Sequence, residues 1–144
     1  MADTGVERDF FEVAVEEAVI DHVQDRLDAF LDRDPTVADT DRTRFEMALV
    51  EIVGNIVEHA FAADADEGGR RLSVDLRLAP DRIEATLADN GVPHELDLGS
   101  VTMPDTDAVS GRGLALAVAA VDDLSYERVD GRNHWGLLCR RAGG

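Results

Sequence analysis

The chain has no lysine: all 14 of its basic side chains are arginine. A Walker-type phosphate loop needs a lysine on the phosphates, and Schiff-base chemistry needs a lysine amine, so both are excluded. The one cysteine, Cys139, can form no disulfide within the chain. It lies in an apolar run, where a thiol usually serves as a small buried hydrophobe. No apolar run reaches the roughly 18 residues of a membrane span. The opening residues, MADTGVERDF, lack the apolar core of a secretion signal. Positive charge is scarce as a whole, with 31 acidic side chains and a net charge of −17. That balance argues against a nucleic-acid surface and against anionic membranes, since both need clustered positive charge. A cytoplasmic protein is expected, with neither nucleic acid nor membrane as a direct partner. The arginine-only, aspartate-rich composition reads as genome composition or a salty cytoplasm rather than as mechanism.

What is present suffices for a packed core. The chain has 144 residues, 44% of them hydrophobic, which is one domain's worth, taken as residues 1–144. Its centre is Thr43 to Phe61, TRFEMALVEIVGNIVEHAF. The apolar residues Phe45, Ala48, Leu49, Ile52, Val53, Ile56, Val57 and Ala60 recur in alternating steps of three and one. This spacing predicts an amphipathic helix with one wide buried face. At about 100° per residue, Glu51 points away from that face and Asn55 stacks one turn above it. His59 follows one turn later, with Glu58 on the same side. Such an edge is either a plain solvated face or a lined-up set of functional groups. Gly54 beside Asn55 favours the second, because glycine inside a helix costs about 1 kcal/mol relative to alanine. It suggests a close approach to the backbone.

The flanking segments complete the expected order. Phe10 to Val15 reads as a short strand. Ala18 to Leu31 carries Val19, Val23, Leu27, Phe30 and Leu31 at helical spacing, with His22, Arg26 and Arg33 toward the surface. Asp39, Thr40 or Asp41 can cap the central helix. Residues 63–69, ADADEGG, form an acidic linker without the spacing of a calcium loop. Leu72 to Leu78 and Ile83 to Leu87 alternate apolar and polar about Pro80-Asp81, a hairpin with one buried face. Residues 92–110 have no periodicity and read as a lid. Leu114 to Val121 is a buried helix, broken by Asp122-Asp123. Leu124 to Val129 and His134 to Arg140 form a second hairpin around Asp130-Gly131. The order β-α-α-β-β-lid-α-β-β predicts an α+β two-layer sandwich. Its helices should lie on one face of a mixed, mainly antiparallel sheet.

Two further stretches carry chemistry. Gly111-Arg112-Gly113 opens a helix after a long loop. It is either turn chemistry or a phosphate site, where N–H groups carry partial positive charge and Arg112 adds a forked donor. Asp89 ends a strand just before Asn90-Gly91. It is either an ordinary Asx turn or a half-buried carboxylate that accepts a hydrogen bond from an amino group such as adenine's, with Gly91 leaving room for the base.

Taken together, ALVEIVGNIVEHAF (Ala48 to Phe61), DNG (Asp89 to Gly91) and SGRGL (Ser110 to Leu114) resemble the motifs of the Bergerat-fold ATPases. These form the gyrase, heat-shock chaperone and histidine-kinase superfamily, and the likeness is closest to the small anti-sigma-factor serine/threonine kinases. The resemblance spans about Phe10 to Arg140. It implies that Asn55 ligates Mg²⁺ bridging the phosphates of ATP and that Glu51 is the general base. It implies that Asp89 binds the adenine amino group with Gly91 beneath the ring. Gly111, Arg112, Gly113 and Leu114 would hold the nucleotide, His59 would belong to the same site, and residues 92–110 would be the ATP lid. Many members carry a threonine on the last strands that helps bind adenine, and His134 to Leu138 here contains none. The dimerisation helix with a phospho-accepting histidine is absent as well. The implied function is an ATP-dependent protein-serine kinase that sequesters a sigma factor and phosphorylates a small antagonist protein. A homodimer is implied too. The alternative is a nucleotide-binding regulatory module of the same fold without kinase activity.

Overall fold

A computed structural model describes residues 6–16, 18–62, 71–91 and 109–142, with the backbone alone at 59–62 and 109–114. The expected linker 63–69 lies outside the described residues, as do residues 92–108 of the expected lid 92–110, whose last two residues, Val109 and Ser110, are instead helical.

The polypeptide runs β1 (Glu7–Ala14), α1 (Val19–Leu31), α2 (Asp39–Ala62), β2 (Arg71–Ala79), β3 (Arg82–Asp89), α3 (Val109–Ala120), β4 (Asp123–Val129) and β5 (Arg132–Arg140). The strands form one five-stranded sheet in the order β1-β2-β3-β5-β4, and all four pairings are antiparallel. Alternation decides which face is buried. Leu72, Val74, Leu76 and Leu78 of β2 point inward, as do Ile83, Ala85 and Leu87 of β3 and Trp135, Leu137 and Cys139 of β5. The three helices close this face: Val23, Leu27 and Phe30 of α1 and Phe45, Leu49, Ile52 and Ile56 of α2 join the same core. α2 packs against both α1 and α3 and reaches β5. Cys139 is fully buried, and burial pushes its thiol above the ordinary range. The second hairpin turns through Asp130 and Gly131, at φ 53° and 78°. These left-handed angles are what a tight primed turn requires and what Asp-Gly supplies.

One expectation about α2 is corrected. The helix begins at Asp39, four residues before Thr43, so Asp41 lies within its first turn rather than capping it. Asp41 is buried and accepts hydrogen bonds from the Ala142 N–H at 2.8 Å and from Arg44 Nη1 at 3.3 Å. Tertiary partners at the other end of the chain thus claim a carboxylate that local chemistry would assign to a cap. No described protein atom makes a close approach at Gly54. An added Cβ would meet only Ile20 Cδ1, at an ordinary 3.9 Å, so the packing of α1 on α2 does not require glycine there.

Candidate nucleotide site

α2 sets the first part of the site. Glu51 and Asn55 are both half-buried on its edge, one turn and about 6 Å apart along the axis. Among the described residues, neither side chain is engaged in a hydrogen bond or ion pair. A carboxylate and an amide oxygen are therefore left free on one edge of a helix whose other face is fully committed to the core. The side chain of His59 lies outside the described residues.

The end of β3 sets the second part. Asp89 is 4% exposed, yet its position is a sheet terminus where a carboxylate could easily have faced water. Its Oδ1 accepts two hydrogen bonds at 2.8 Å, from the Gly91 N–H and from Asn133 Nδ2. The first closes the Asx turn expected from Asp-Asn-Gly. Asn90 folds back on β2, its Oδ1 accepting the Arg71 N–H at 2.8 Å. Oδ2 of Asp89 is buried and has no hydrogen-bond partner among the described residues. An unpaired buried carboxylate oxygen costs about 1–3 kcal/mol, so such an atom in a folded protein calls for a donor from a bound water or a ligand. An amino group of a nucleotide base meets that need.

Asn133 was not singled out in the sequence. It stands directly across from Asp89 in the β3–β5 register and is fully buried. Its Oδ1 accepts the Tyr126 hydroxyl and Arg128 Nη1, the latter at 3.1 Å. Arg128 Nη1 also donates to the Gly91 carbonyl at 2.9 Å. Tyr126 rests on Trp135, with ring centroids 4.7 Å apart. The only local signal for Asn133 was a buried-face position holding a polar residue just after the Asp-Gly turn.

α3 sets the third part. It begins at Val109, so Gly111, Arg112 and Gly113 fall in its first turns, with Leu114 following, on an element packed against α2. The side chains of Arg112 and Leu114 lie outside the described residues. Among the described residues no group of three or more His, Cys, Asp or Glu could hold a metal ion. A hard cation at Asn55 would therefore need oxygens from elsewhere, as Mg²⁺ on phosphates has.

A cavity of about 300 Å³ opens at the same end of the sheet, lined by Val13, Ala14, Glu16, Ala18, Val19 and His22. Val13 shares a register row with Leu72, Asp89 and Asn133. At about 4.8 Å per strand it lies two strands from Asp89, beside rather than within the carboxylate site. His22 is exposed and stands edge-on to Phe11 at 6.0 Å.

Comparison with known proteins accords with this layout. A crystal structure of the RsbU and RsbW domains of a Mycobacterium tuberculosis protein is similar over 94% of this chain, with 21% identity and a TM-score of 0.67. The chain spans only 32% of that structure. The crystal structure of the SiaB–SiaC complex from Pseudomonas aeruginosa is similar over 95% of this chain and 91% of the matched one, with 13% identity and a TM-score of 0.56. At such identities the likeness is one of fold. No curated protein gives a significant match. No described helix is long and apolar enough to cross a membrane. The description of the histidine kinase-like ATPase domain matches residues 13–135, which takes in Glu51, Asn55, Asp89 and Asn133, and the chain belongs to that family.

Proposed function

We propose that the chain is an ATP-dependent protein-serine kinase acting as an anti-sigma factor, which sequesters a sigma factor and phosphorylates a small antagonist protein. The observation that carries the nucleotide part is the buried, unpartnered Oδ2 of Asp89. It is an acceptor in search of one donor, and the exocyclic amino group of adenine supplies one. Gly91 keeps the adjoining backbone clear of side chain for the ring.

The kinase part rests on Glu51 and Asn55. Asn55 offers an amide oxygen to Mg²⁺, which when bound neutralises charge on the phosphates. Glu51, one turn away, accepts the proton of the attacking serine hydroxyl. The hydroxyl oxygen forms the new bond to the γ-phosphorus while the bond to ADP breaks. This chemistry asks for positioning and charge stabilisation rather than a covalent intermediate. Gly111, Arg112, Gly113 and Leu114 complete the phosphate side, His59 belongs to the same nucleotide site, and residues 92–108 serve as the lid. In this proposal residues 1–144 act as one ATPase domain that pairs with a second copy in the cytoplasm. The fold likeness to structures containing an RsbW domain and SiaB supports the regulatory class.

Calorimetric titration of ATP with and without Mg²⁺ tests the site. Wild type should bind in a magnesium-dependent way, and Asn55→Ala should lose that dependence. Glu51→Ala should bind ATP within about twofold of wild type yet transfer phosphate to a serine-bearing antagonist at least about 100-fold more slowly, the usual share of a general base. Transfer by Glu51→Ala at the wild-type rate would remove the proposed mechanism. Binding without transfer to any candidate antagonist would favour a nucleotide-operated switch instead.

A further inference from the structure

Asp89 could turn about its Cβ–Cγ bond and present either oxygen to a ligand. Two donors on Oδ1, the Gly91 N–H and Asn133 Nδ2, prevent it. The orientation of the Asn133 amide is itself decided by its other end. Arg128 has only donors to offer, and it approaches Asn133 Oδ1 together with the Tyr126 hydroxyl. Flipping the amide would set its NH₂ against a guanidinium and its carbonyl against the Asp89 carboxylate. Arg128 also holds the Gly91 carbonyl, so one guanidinium braces both the amide and the turn that follows Asp89.

We infer that Asn133 is the positioning residue that makes the pocket selective for its base. By occupying Oδ1 it commits Oδ2 as a lone buried acceptor for a single exocyclic N–H donor. A purine with an amino group at that point is accepted. A purine with a carbonyl there sets two acceptors against each other, and is rejected. The inference rests on the ATP reading above and extends it to a chain-specific relay of Tyr126, Arg128 and Asn133 behind Asp89.

The test compares ATP with inosine triphosphate, which differs at the six-position of the base, by calorimetry on wild type, Asn133→Leu and Asn133→Ser. Wild type should prefer ATP by at least about 100-fold, as sites built around a hydrogen bond do. Asn133→Leu should weaken ATP about tenfold and narrow the preference by a similar factor, the worth of one lost bond to a charged group. Asn133→Ser, which restores a donor, should recover part of both. A merely structural role would lower the melting temperature and weaken both nucleotides alike, so an unchanged preference in Asn133→Leu overturns the inference. Should that variant fail to fold, Tyr126→Phe removes only a hydroxyl and should narrow the preference to a smaller extent; no change there overturns it equally. A second readout needs no nucleotide: the Gly91 amide should exchange with solvent faster in Asn133→Leu than in wild type. Wild type that binds neither nucleotide overturns the ATP reading and base selection together, while faster Gly91 exchange would still support the positioning of Asp89.

Discussion

Asp89 holds the sharpest chemical statement in the molecule, because the two oxygens of one carboxylate do different work. Oδ1 is spent on the Gly91 N–H and on Asn133, and Oδ2 is buried without a partner among the described residues. Asparagine at this position would keep its amide oxygen on those same two donors. Its NH₂ would then stand where Oδ2 stood, and the site would present a donor in place of an acceptor. Asp89→Asn is therefore expected to abolish the base preference. ATP binding should fall, and inosine triphosphate binding should rise relative to it, for a combined swing of about 100-fold from two hydrogen bonds of opposite sense. Competition calorimetry with the two nucleotides reads this directly. A variant that loses both nucleotides equally would mean that Asp89 acts through charge alone.

At the scale of elements, the long helix α2 is held at its start by the end of the chain. Arg44 donates through Nε to the Ala120 carbonyl at 2.9 Å and reaches Asp122 at 3.3 Å. Asp122 in turn accepts the Arg140 N–H at 2.6 Å, and Asp41 accepts the Ala142 N–H. Thus α2, the end of α3 and the end of β5 are tied at one corner, and this fixes the helix that carries Glu51 and Asn55. The Arg140 N–H, and after it the Arg44 guanidinium, hold the Asp122 carboxyl below the usual carboxylate range. A depressed folded-state value means that ionised Asp122 favours the folded chain. That contribution is complete above the unfolded-state pKa of about 3.9 and is lost as pH falls through the lower folded-state value. Asp122→Ala should therefore lower the urea midpoint relative to wild type near neutrality. The gap should narrow in acid, below about pH 4. A gap that stays constant with pH would assign the effect to packing rather than to charge.

At the scale of the whole molecule, the net charge of −17 is the dominant electrostatic fact. Eleven ion pairs join described side chains, but nine of them have at least one side chain more than a third exposed, where water and salt leave such a pair little net effect. Excess acid repels itself over distances that salt shortens from about 10 Å at 0.1 M to about 3 Å at 1 M. Screening should therefore help more through reduced repulsion than it harms through weakened pairs. The melting temperature is expected to rise by about 3 °C between about 0.05 and about 1 M KCl, the equivalent of roughly 1 kcal/mol in a domain of this size. Differential scanning calorimetry checks this, and a fall in melting temperature would show that the ion pairs outweigh the repulsion.

Sequence periodicity marked the elements, except for the start of α3 at Val109, where the serine and the glycines carry no helical spacing of apolar residues. Steps of three and one marked α2, alternation marked β2 and β3, and Asp130-Gly131 marked the last hairpin, because each of these signals resides in neighbours a few residues apart. The stacking of Glu51 and Asn55 was legible for the same reason, as was the Asx turn at Asp89. The start of α2 was not, because the cap chemistry of Asp39 to Asp41 is outcompeted by a hydrogen bond from Ala142, 101 positions away. Asn133 was invisible for a similar reason. Only the placement of β5 between β3 and β4 sets it opposite Asp89, 44 positions earlier. Strand order and register follow from which faces must be buried together across a long crossover, a property of the packed chain as a whole. The sequence determined which groups could serve a nucleotide, and the tertiary structure decided which oxygen of Asp89 is left to do so.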